Sequence, residues 1–345
     1  MRYAGDKLEK LLRGKALTEK ECKHMIGLIT SGVLGRKTDF VLGAFACLSQ
    51  RIGPTMNMLH GIVDQFDECV TGIPIVNLGD EKVILAVGSG KDQFKTINVT
   101  TAAALVASSC GAFVAKIGGR AESSTAGSAD ILQFLGLNID PSFEKFVQSL
   151  NKFGFGYFNP TPPLPILEGY LGKSPVFNVM EYVIPLYLGI NIKRIMYGLA
   201  DPRTNLTAQL MFEHGHGKSL VVCGSSNDGR FFDEISNLGP TIVSLVSIDG
   251  IQTLRFSPSD FSVPRSMDNE VSQPKSVSKC AEGLVEILKG QAPQAHLNLV
   301  CMNASALLWM AGITNEIGEG THIAFDAIKR GIPWKLFKEI RNALR

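Results

Sequence analysis

Short apolar runs that end in glycine constrain the fold of this chain more than any other feature. The run "KVILAVG" ends at Gly88, and "AFVAKIGG" follows it after one stretch of helical periodicity. Uninterrupted apolar runs of this length are typical of strands that are buried on both faces of a parallel sheet. Similar runs recur as "RIMYGLA", "SLVVCGSS" and "TIVSLVSIDG". The pattern predicts an α/β fold with a mostly parallel central sheet.

The first 70 residues have a different pattern, in which apolar residues recur at helical spacing. Thr18 and Glu21 have the spacing of a capping box, which predicts that a helix begins after Thr18. We therefore expect a small N-terminal helical domain beside a larger α/β domain. The predicted boundaries are 1–70 for the helical domain, part of 165–190 for a segment that joins it, and 71–164 with 191–345 for the α/β domain.

Composition excludes several classes of protein. The 34 Lys and Arg residues nearly balance the 32 Asp and Glu residues, which argues against a nucleic-acid binder. The seven cysteines form no CxxC pair, as is typical of reduced intracellular thiols. The charged start lacks the apolar core of a signal peptide, and no apolar run reaches the roughly 20 residues of a membrane span. We expect a cytoplasmic protein that does not enter a membrane.

Two glycine turns follow the first two predicted strands. The turn "GSGKD" precedes a helix that begins near Asn98, and "KIGGR" places Lys116 and Arg120 around two glycines. Glycines let backbone N–H groups converge on an anion, a helix N-terminus adds partial positive charge, and the cations suit phosphate oxygens. The alternative for the second turn is a solvated loop that caps the next helix through Ser128. Together the turns predict a phosphate site.

Adjacent carboxylates provide a candidate metal site. Asp233 and Glu234 lie in "FFDEISNLGPT", in a segment without strong helical or strand periodicity. Such a pair can bind Mg²⁺ when water and substrate phosphates complete the octahedron, and a solvated surface pair is the alternative. His214 and His216 could also contact a metal, but no third ligand lies nearby in sequence, so a polar helix end is favoured.

The order of these motifs resembles that in the anthranilate phosphoribosyltransferase family. "GSGKD" is similar to the family's GTGGD, "NVTTA" to its N[IV]STA, "KIGGR" to its KHGNR and "SSTAGSAD" to its SSKSGSAD. "DEISNLGPT" and "NASALLWMAGITNEIGEGTHIA" match two further family patterns. The resemblance covers nearly the whole chain. It implies the fold shared with nucleoside phosphorylases, with the active site in the cleft between a helical and an α/β domain.

The resemblance also implies an activity. The donor would be 5-phosphoribosyl 1-diphosphate, the cofactor Mg²⁺, and the assembly a homodimer through the helical domain. Displacement of diphosphate requires orientation and charge stabilisation but no protein nucleophile, so no catalytic nucleophile is expected. The candidate donor or phosphate residues are Gly88, Ser89, Gly90, Lys91, Asp92, Asn98, Thr100, Thr101, Lys116, Gly118, Gly119, Arg120 and Ser128. The candidate metal residues are Asp233, Glu234 and Thr100.

The acceptor half departs from the family pattern. Ile117 and Gly119 replace the histidine and asparagine of KHGNR, and Pro163 stands where the family has another histidine. Glu168 aligns with the arginine that binds the anthranilate carboxylate, and "MEYVIPL" replaces LGPL. A glutamate there would repel a carboxylate. The acceptor candidates are Gly119, Glu168 and Ile117.

These departures leave more than one function open. Anthranilate, the acceptor of tryptophan biosynthesis, is the family default, and a neutral or basic aromatic or nitrogen heterocycle is the alternative acceptor. A nucleoside phosphorylase would instead exchange with inorganic phosphate and would leave the acidic pair without a task. A non-catalytic relative would bind nucleic acid or a ligand.

Overall fold

The computed structural model describes residues 2–72, 76–78, 82–121, 124–158, 174 and 176–344. The chain starts with helices, as predicted, and the capping box is present. Glu21 N donates to Thr18 Oγ1 at 3.3 Å, and Thr18 N donates to Glu21 Oε2 at 2.9 Å. The first helices are α1 (Arg2–Leu12), α2 (Glu19–Thr30), α3 (Thr38–Ile52) and α4 (Met56–Val70).

A large sheet forms the centre of the molecule. In chain order, the strands of the described residues are β1 (Val76–Asn77), β2 (Val83–Gly88), β3 (Phe113–Ile117), β4 (Phe155–Phe158), β5 (Ile190–Asn191), β6 (Arg194–Gly198), β7 (Ser219–Ser225), β8 (Phe231–Phe232), β9 (Thr241–Ser247) and β10 (Gly250–Phe256). The main sheet has the order β10-β9-β7-β6-β2-β3-β4, and β8 pairs with β7. The small strands β1 and β5 pair separately, in parallel.

The predicted mostly parallel sheet is confirmed, with one correction at its edge. Strands β7, β6, β2, β3 and β4 pair in parallel. The run "TIVSLVSIDG" was grouped with them, but β9 is antiparallel to β7 and forms a hairpin with β10. Only Ile248 and Asp249 separate β9 from β10. A connection this short can join antiparallel strands, but a parallel crossover needs a dozen or more residues.

Helices cover both faces of the sheet, and the alternation along β2 shows why. Val83, Leu85 and Val87 share a core with the N-terminal helices, whereas Ile84 and Ala86 pack into the core on the opposite face. Both sets are buried, so the strand reads as an unbroken apolar run. Within the described ranges the remaining α-helices are α5 (Val99–Ser109), α6 (Ser128–Phe134), α7 (Phe143–Phe153), α8 (Thr204–Glu213), α9 (Asp268–Val271), α10 (Val277–Leu288), α11 (Gln294–Met310), α12 (Gly320–Lys329) and α13 (Ile332–Ala343).

The strand order reverses direction between β2 and β6. From β2 the chain proceeds to β3 and β4 on one side, and from β6 to β7 and β9 on the other. Gly88 and Gly198 pair at the carboxyl ends of these two strands. In open α/β sheets such a switch point opens a crevice that is the usual ligand site. No helix in the described part of the chain is long and apolar enough to cross a membrane.

Candidate active site

A cavity of about 450 Å³ opens at this switch point, at the carboxyl edge of the parallel strands. Both glycine turns and the acidic pair contribute to its wall. Every described residue of the predicted donor, metal and acceptor sets lines this cavity. They are Gly88, Ser89, Gly90, Lys91, Asp92, Asn98, Thr100, Thr101, Lys116, Ile117, Gly118, Gly119, Arg120, Ser128, Asp233 and Glu234.

The first turn is tied to the acidic segment by hydrogen bonds from backbone N–H groups to carboxylates. Gly90 N donates to Asp233 Oδ2 at 2.8 Å, and Asp233 N donates to Asp92 Oδ1 at 2.9 Å. Ser89 N donates to Gly198 O at 2.9 Å. Gly90 has a φ of 67°, in the left-handed region that favours glycine. The turn and the acidic pair therefore form one bonded unit rather than two separate loops.

The acidic pair is buried, which removes the alternative of a solvated surface pair. Asp233 and Glu234 are 6% and 7% exposed. Thr96 Oγ1 donates to Glu234 Oε2 at 3.3 Å. The next residue is held by Asn303 of α11, whose Oδ1 accepts from Ile235 N and whose Nδ2 donates to Ile235 O, both at 2.9 Å. Buried polar side chains thus hold the acidic pair at the cavity.

Burial and mutual repulsion give this cluster unusual acidities. The pKa of Asp92 is raised well above its ordinary value, first by burial and then by the Asp233 carboxylate, while Lys95 acts in the opposite sense. The pKa of Glu234 is also raised, by burial and then by Asp233 and Asp92. Burial lowers the pKa of Lys116 to about 8, against the attraction of Asp233 and Glu234. Several like charges in a buried cluster favour a cation between them.

The residues present fit a magnesium ion. Mg²⁺ prefers oxygen ligands and usually keeps several positions for water and substrate phosphates. Asp233 and Glu234 supply buried carboxylate oxygens beside a turn suited to phosphate. Among the described residues no three His, Cys, Asp or Glu side chains form a complete metal site.

Two residues of the second turn make contacts that the sequence did not indicate, while both line the cavity. Arg120 is directed at α6, where its Nη1 donates to Asp130 Oδ1 at 3.2 Å and its Nη2 to Gln133 Oε1 at 2.8 Å. Ser128 is not the N-cap of α6, because the helix begins at Ser128 itself after Gly127. The Asp130 carboxylate instead accepts from the loop, from Gly127 N at 3.0 Å.

Lys116 and Gly118 keep to the cavity side of this turn. Lys116 Nζ donates to Ile117 O. A Cβ on Gly118 would overlap Ser128 Oγ, so only glycine lets the turn approach the start of α6. Tyr157 OH donates to Gly118 O and supports the turn from below.

Helix α5 begins at the cavity as predicted. Asn98 is its N-cap, and its Nδ2 donates to Ala126 O at 3.2 Å. The Asn98 Oδ1 is buried without a hydrogen-bond partner among the described residues. Thr100 and Thr101 lie in the first turn of the helix and line the cavity. The helix N-terminus, with its partial positive charge, thus faces the same space as the glycine turns.

The predicted acceptor side is only partly described. Ile117 ends β3 and is buried at the cavity wall, and Gly119 lines the cavity without a side chain. Glu168 and Pro163 lie outside the described residues. His214 and His216 do not line the cavity. His214 is the C-cap of α8, which agrees with the predicted polar helix end.

Several cavity residues were not anticipated from the sequence. Thr96 and Lys95 follow the first turn closely, and their proximity to it was the available signal. Glu181 lies in "VMEYVIPL", a stretch noted only because it departs from LGPL. Outside the cavity wall, Asn303 was also missed: it holds the acidic segment through Ile235 and starts the "NASALL" pattern, which indicated no role for its side chain.

Comparisons with known proteins agree over nearly the whole length. A model of the glycosyl transferase family, a/b domain, matches residues 80–333. An anthranilate phosphoribosyltransferase of Methanosarcina acetivorans is 32% identical over 97% of this chain and 88% of its own. One of Geobacillus kaustophilus is also 32% identical, over 97% of this chain and 96% of its own.

Solved structures show the same fold. An anthranilate phosphoribosyltransferase from Thermus thermophilus superposes with a TM-score of 0.76 at 23% identity, over 98% of this chain and 99% of that one. The enzyme from Saccharomyces cerevisiae in complex with PRPP and Mg superposes with a TM-score of 0.73 at 19% identity, over 99% and 97%. At these identities the similarity establishes the fold.

Proposed function

This chain belongs to the anthranilate phosphoribosyltransferase family, and we propose that its cavity binds 5-phosphoribosyl 1-diphosphate with Mg²⁺ and transfers the phosphoribosyl group to an aromatic or nitrogen acceptor. Membership of the family makes the protein a glycosyltransferase of the phosphoribosyltransferase class. One observation carries the proposal. A single cavity is lined by both glycine turns, by the start of α5 and by the buried acidic pair.

Each part of the cavity has a task in such a transfer. The bond from ribose C1 to diphosphate breaks as the acceptor attacks, so positive charge develops on the sugar and negative charge on the leaving group. The turn at 88–92 and the N-terminus of α5 would bind the phosphates. Lys116 would stabilise the developing negative charge, and burial at 5% exposure would strengthen that interaction.

Asp233 and Glu234 would hold the metal. Bound Mg²⁺ supplies neutralisation of phosphate charge and helps to orient the leaving group. The complex of the yeast relative with PRPP and Mg supports the presence of the metal with the donor. Thr100, predicted as a further metal residue, lines the cavity at the first turn of α5 and is part of the same proposal.

The test is donor binding measured by calorimetry with and without Mg²⁺. We expect PRPP to bind the wild-type protein in a Mg²⁺-dependent manner, and Asp233→Asn with Glu234→Gln to abolish that dependence. The matched control is Asp326→Asn with Glu339→Gln, which makes the same charge change at exposed helix positions outside the cavity. Control and wild type should bind alike.

Other outcomes separate the alternatives. Binding of PRPP that the double variant leaves unchanged would refute the metal assignment. Tight binding of inorganic phosphate and a nucleoside without Mg²⁺, in place of PRPP, would indicate a nucleoside phosphorylase. A protein that binds none of these ligands would be a non-catalytic relative.

We propose further that the protein acts in the cytoplasm as a homodimer. All seven cysteines are free, which is typical of a reducing compartment and supports the location. Near the start of α3, Val33 and Phe40 are 68% and 75% exposed. Large apolar side chains so exposed are common at subunit interfaces, which supports association through the N-terminal helices.

A further inference from the structure

We infer that Gln273 is a positioning residue for the donor, because its side-chain amide fixes the second glycine turn relative to the first. The inference rests on the proposed function and deepens it, since it concerns how the same cavity is prepared for PRPP. Gln273 follows the short helix α9, is half-buried and lines the cavity. It is carried by the hydrogen bonds that its backbone and its side chain make in two directions.

The backbone of Gln273 is attached to the segment that follows the first turn. Gln273 N donates to Lys95 O at 3.0 Å, and Ile97 N donates to Val271 O at 3.2 Å, so the two segments pair as an antiparallel bridge. Between these bonds lies Thr96, whose hydroxyl donates to the acidic pair. Gln273 is therefore bonded to the part of the cavity that contains the first turn and the proposed metal residues.

The side chain of Gln273 reaches the loop at 124–127 on the other side of the cavity. Thr125 N donates to Gln273 Oε1 at 3.0 Å, and Gln273 Nε2 donates to Ala126 O at 3.3 Å. The amide oxygen faces an N–H group and the amide nitrogen faces a carbonyl, so both halves of the amide are used in one orientation. Asn98, the N-cap of α5, donates to the same Ala126 O at 3.2 Å.

This loop is in turn bonded to the second turn. A Cβ on Gly127 would overlap Gly119 O, so the loop lies directly on the turn. The Asp130 carboxylate accepts from Gly127 N at 3.0 Å and from Ala121 N at 2.7 Å, which joins the loop to the end of the turn. A contact that positions the loop therefore positions the second turn as well.

The proposed donor needs both turns at a fixed spacing. PRPP carries a diphosphate on C1 and a monophosphate on C5, at opposite ends of one ribose. The acidic pair is bonded to the first turn, so Mg²⁺ and the diphosphate belong at that turn, and the second turn with Lys116 is left for the monophosphate. A ligand that spans two sites binds more tightly when their spacing is fixed before it arrives.

The experiment compares a ligand that spans both turns with one that occupies only the first. Calorimetry measures the affinity of PRPP and of inorganic diphosphate, each with Mg²⁺, for the wild type and for Gln273→Met. Methionine has a similar length and no amide, and the substitution leaves the backbone bonds of residue 273 in place. We expect PRPP affinity to fall by about tenfold, because two hydrogen bonds to the loop are lost, and diphosphate affinity to change by less than about twofold.

Two further variants complete the test. Gln291→Met makes the same change at an exposed position after α10, outside the cavity, and should bind both ligands as the wild type does. Gln273→Glu keeps an acceptor for Thr125 N, but an ionised carboxylate has no N–H to donate to Ala126 O. We expect it to lose PRPP affinity and to retain diphosphate affinity, as the methionine variant does.

Each other result overturns the inference or its premise. Wild-type PRPP affinity in both variants of Gln273 would show that its amide does not position the donor site. Equal losses for PRPP and diphosphate, or failure of both variants to fold, would show a general structural role instead. A wild type that binds PRPP but not diphosphate would overturn the division between the two turns and leave the proposed function standing. A wild type that does not bind PRPP would overturn both.

Discussion

Two glycines determine where Asp233 can lie. A Cβ on Gly88 would overlap the Asp233 carboxylate, and a Cβ on Gly198 would overlap the Asp233 backbone. The two glycines are paired on β2 and β6, so the acidic segment crosses directly over the ends of both strands. Only strands without side chains at these positions let the segment approach so closely.

The two overlaps differ in what can move, and this leads to a prediction. Gly88→Ala meets the end of a side chain, so the protein should fold while the Asp233 carboxylate is displaced. We expect Mg²⁺-dependent PRPP affinity to fall at least about tenfold, because metal geometry is sensitive to small displacements. Gly198→Ala meets backbone and should lower the free energy of unfolding by about 1–3 kcal/mol. Calorimetry and denaturant unfolding measure the two effects.

Gly283→Ala is the control for both variants. Gly283 lies inside α10 and has open space where its Cβ would be, so this change should leave PRPP affinity unchanged and stabilise the helix by about 0.5–1 kcal/mol. Wild-type PRPP affinity in Gly88→Ala would contradict the proposed place of Asp233 in the donor site.

For individual site residues, the sequence predicted those that share a local motif. It missed those that contact the site only through the tertiary fold. Gly88, Asp92 and the acidic pair lie in recognisable local patterns. Asn303 and Thr96 contact the acidic segment across 68 and 138 residues, and no local pattern records such contacts. The predicted N-cap of α6, Ser128, is one position too late, because the N-cap is Gly127. The N–H of Gly127 donates to the Asp130 carboxylate, a contact that depends on tertiary geometry.

Helices α2 and α4 cross more closely than side chains normally allow. A Cβ on Gly61 of α4 would overlap Glu19 O of α2 and lie 2.8 Å from Cys22 Cβ. Cys22 is buried in this contact. The glycine therefore sets the distance between the two helices, even though glycine is a poor residue for a helix interior.

The second prediction concerns this crossing. Gly61→Ala should lower the free energy of unfolding by about 1–3 kcal/mol, because the new methyl group meets backbone that cannot move without separating the helices. Gly43→Ala on α3 is the matched control, since Gly43 has open space at its Cβ position and should gain stability. Thermal unfolding of the pair measures the difference. Equal stability of the two variants would show that the helices can shift apart at little cost.

Elements were predictable where a periodic pattern is long. Strand β2 and the start of α5 appear in the sequence as an apolar run and a helix start. The direction of β9 was not predictable from its run, because burial on both faces leaves the same pattern in parallel and antiparallel strands. Strand β10 is partly exposed at the sheet edge and has too weak an apolar pattern to be recognised.

The N-terminal helices and one sheet face share a single apolar core. Phe45 of α3 and Ile62 of α4 belong to the same buried cluster as Leu85 of β2 and Tyr197 of β6. Two side-chain contacts join α4 to the end of α8, His60 Nε2 with Glu213 Oε2 at 2.9 Å and His214 Nε2 with Asp67 Oδ2 at 3.4 Å. A division into domains at residue 70 stays a prediction, and any movement between the two parts would have to disturb this shared core.

The proposed dimer leads to the last prediction. Phe40→Asp places a charge where the proposed interface would bury an aromatic side chain, and burial of an unpaired carboxylate is costly. We expect the wild type to be a dimer and this variant a monomer of 37.3 kDa in light scattering at the same concentration. Ile248→Asp, at the 93% exposed turn between β9 and β10, is the control and should remain dimeric. A dimer that survives Phe40→Asp would place the interface away from the start of α3. Loss of the dimer in both variants would show that added charge, rather than this surface, controls assembly.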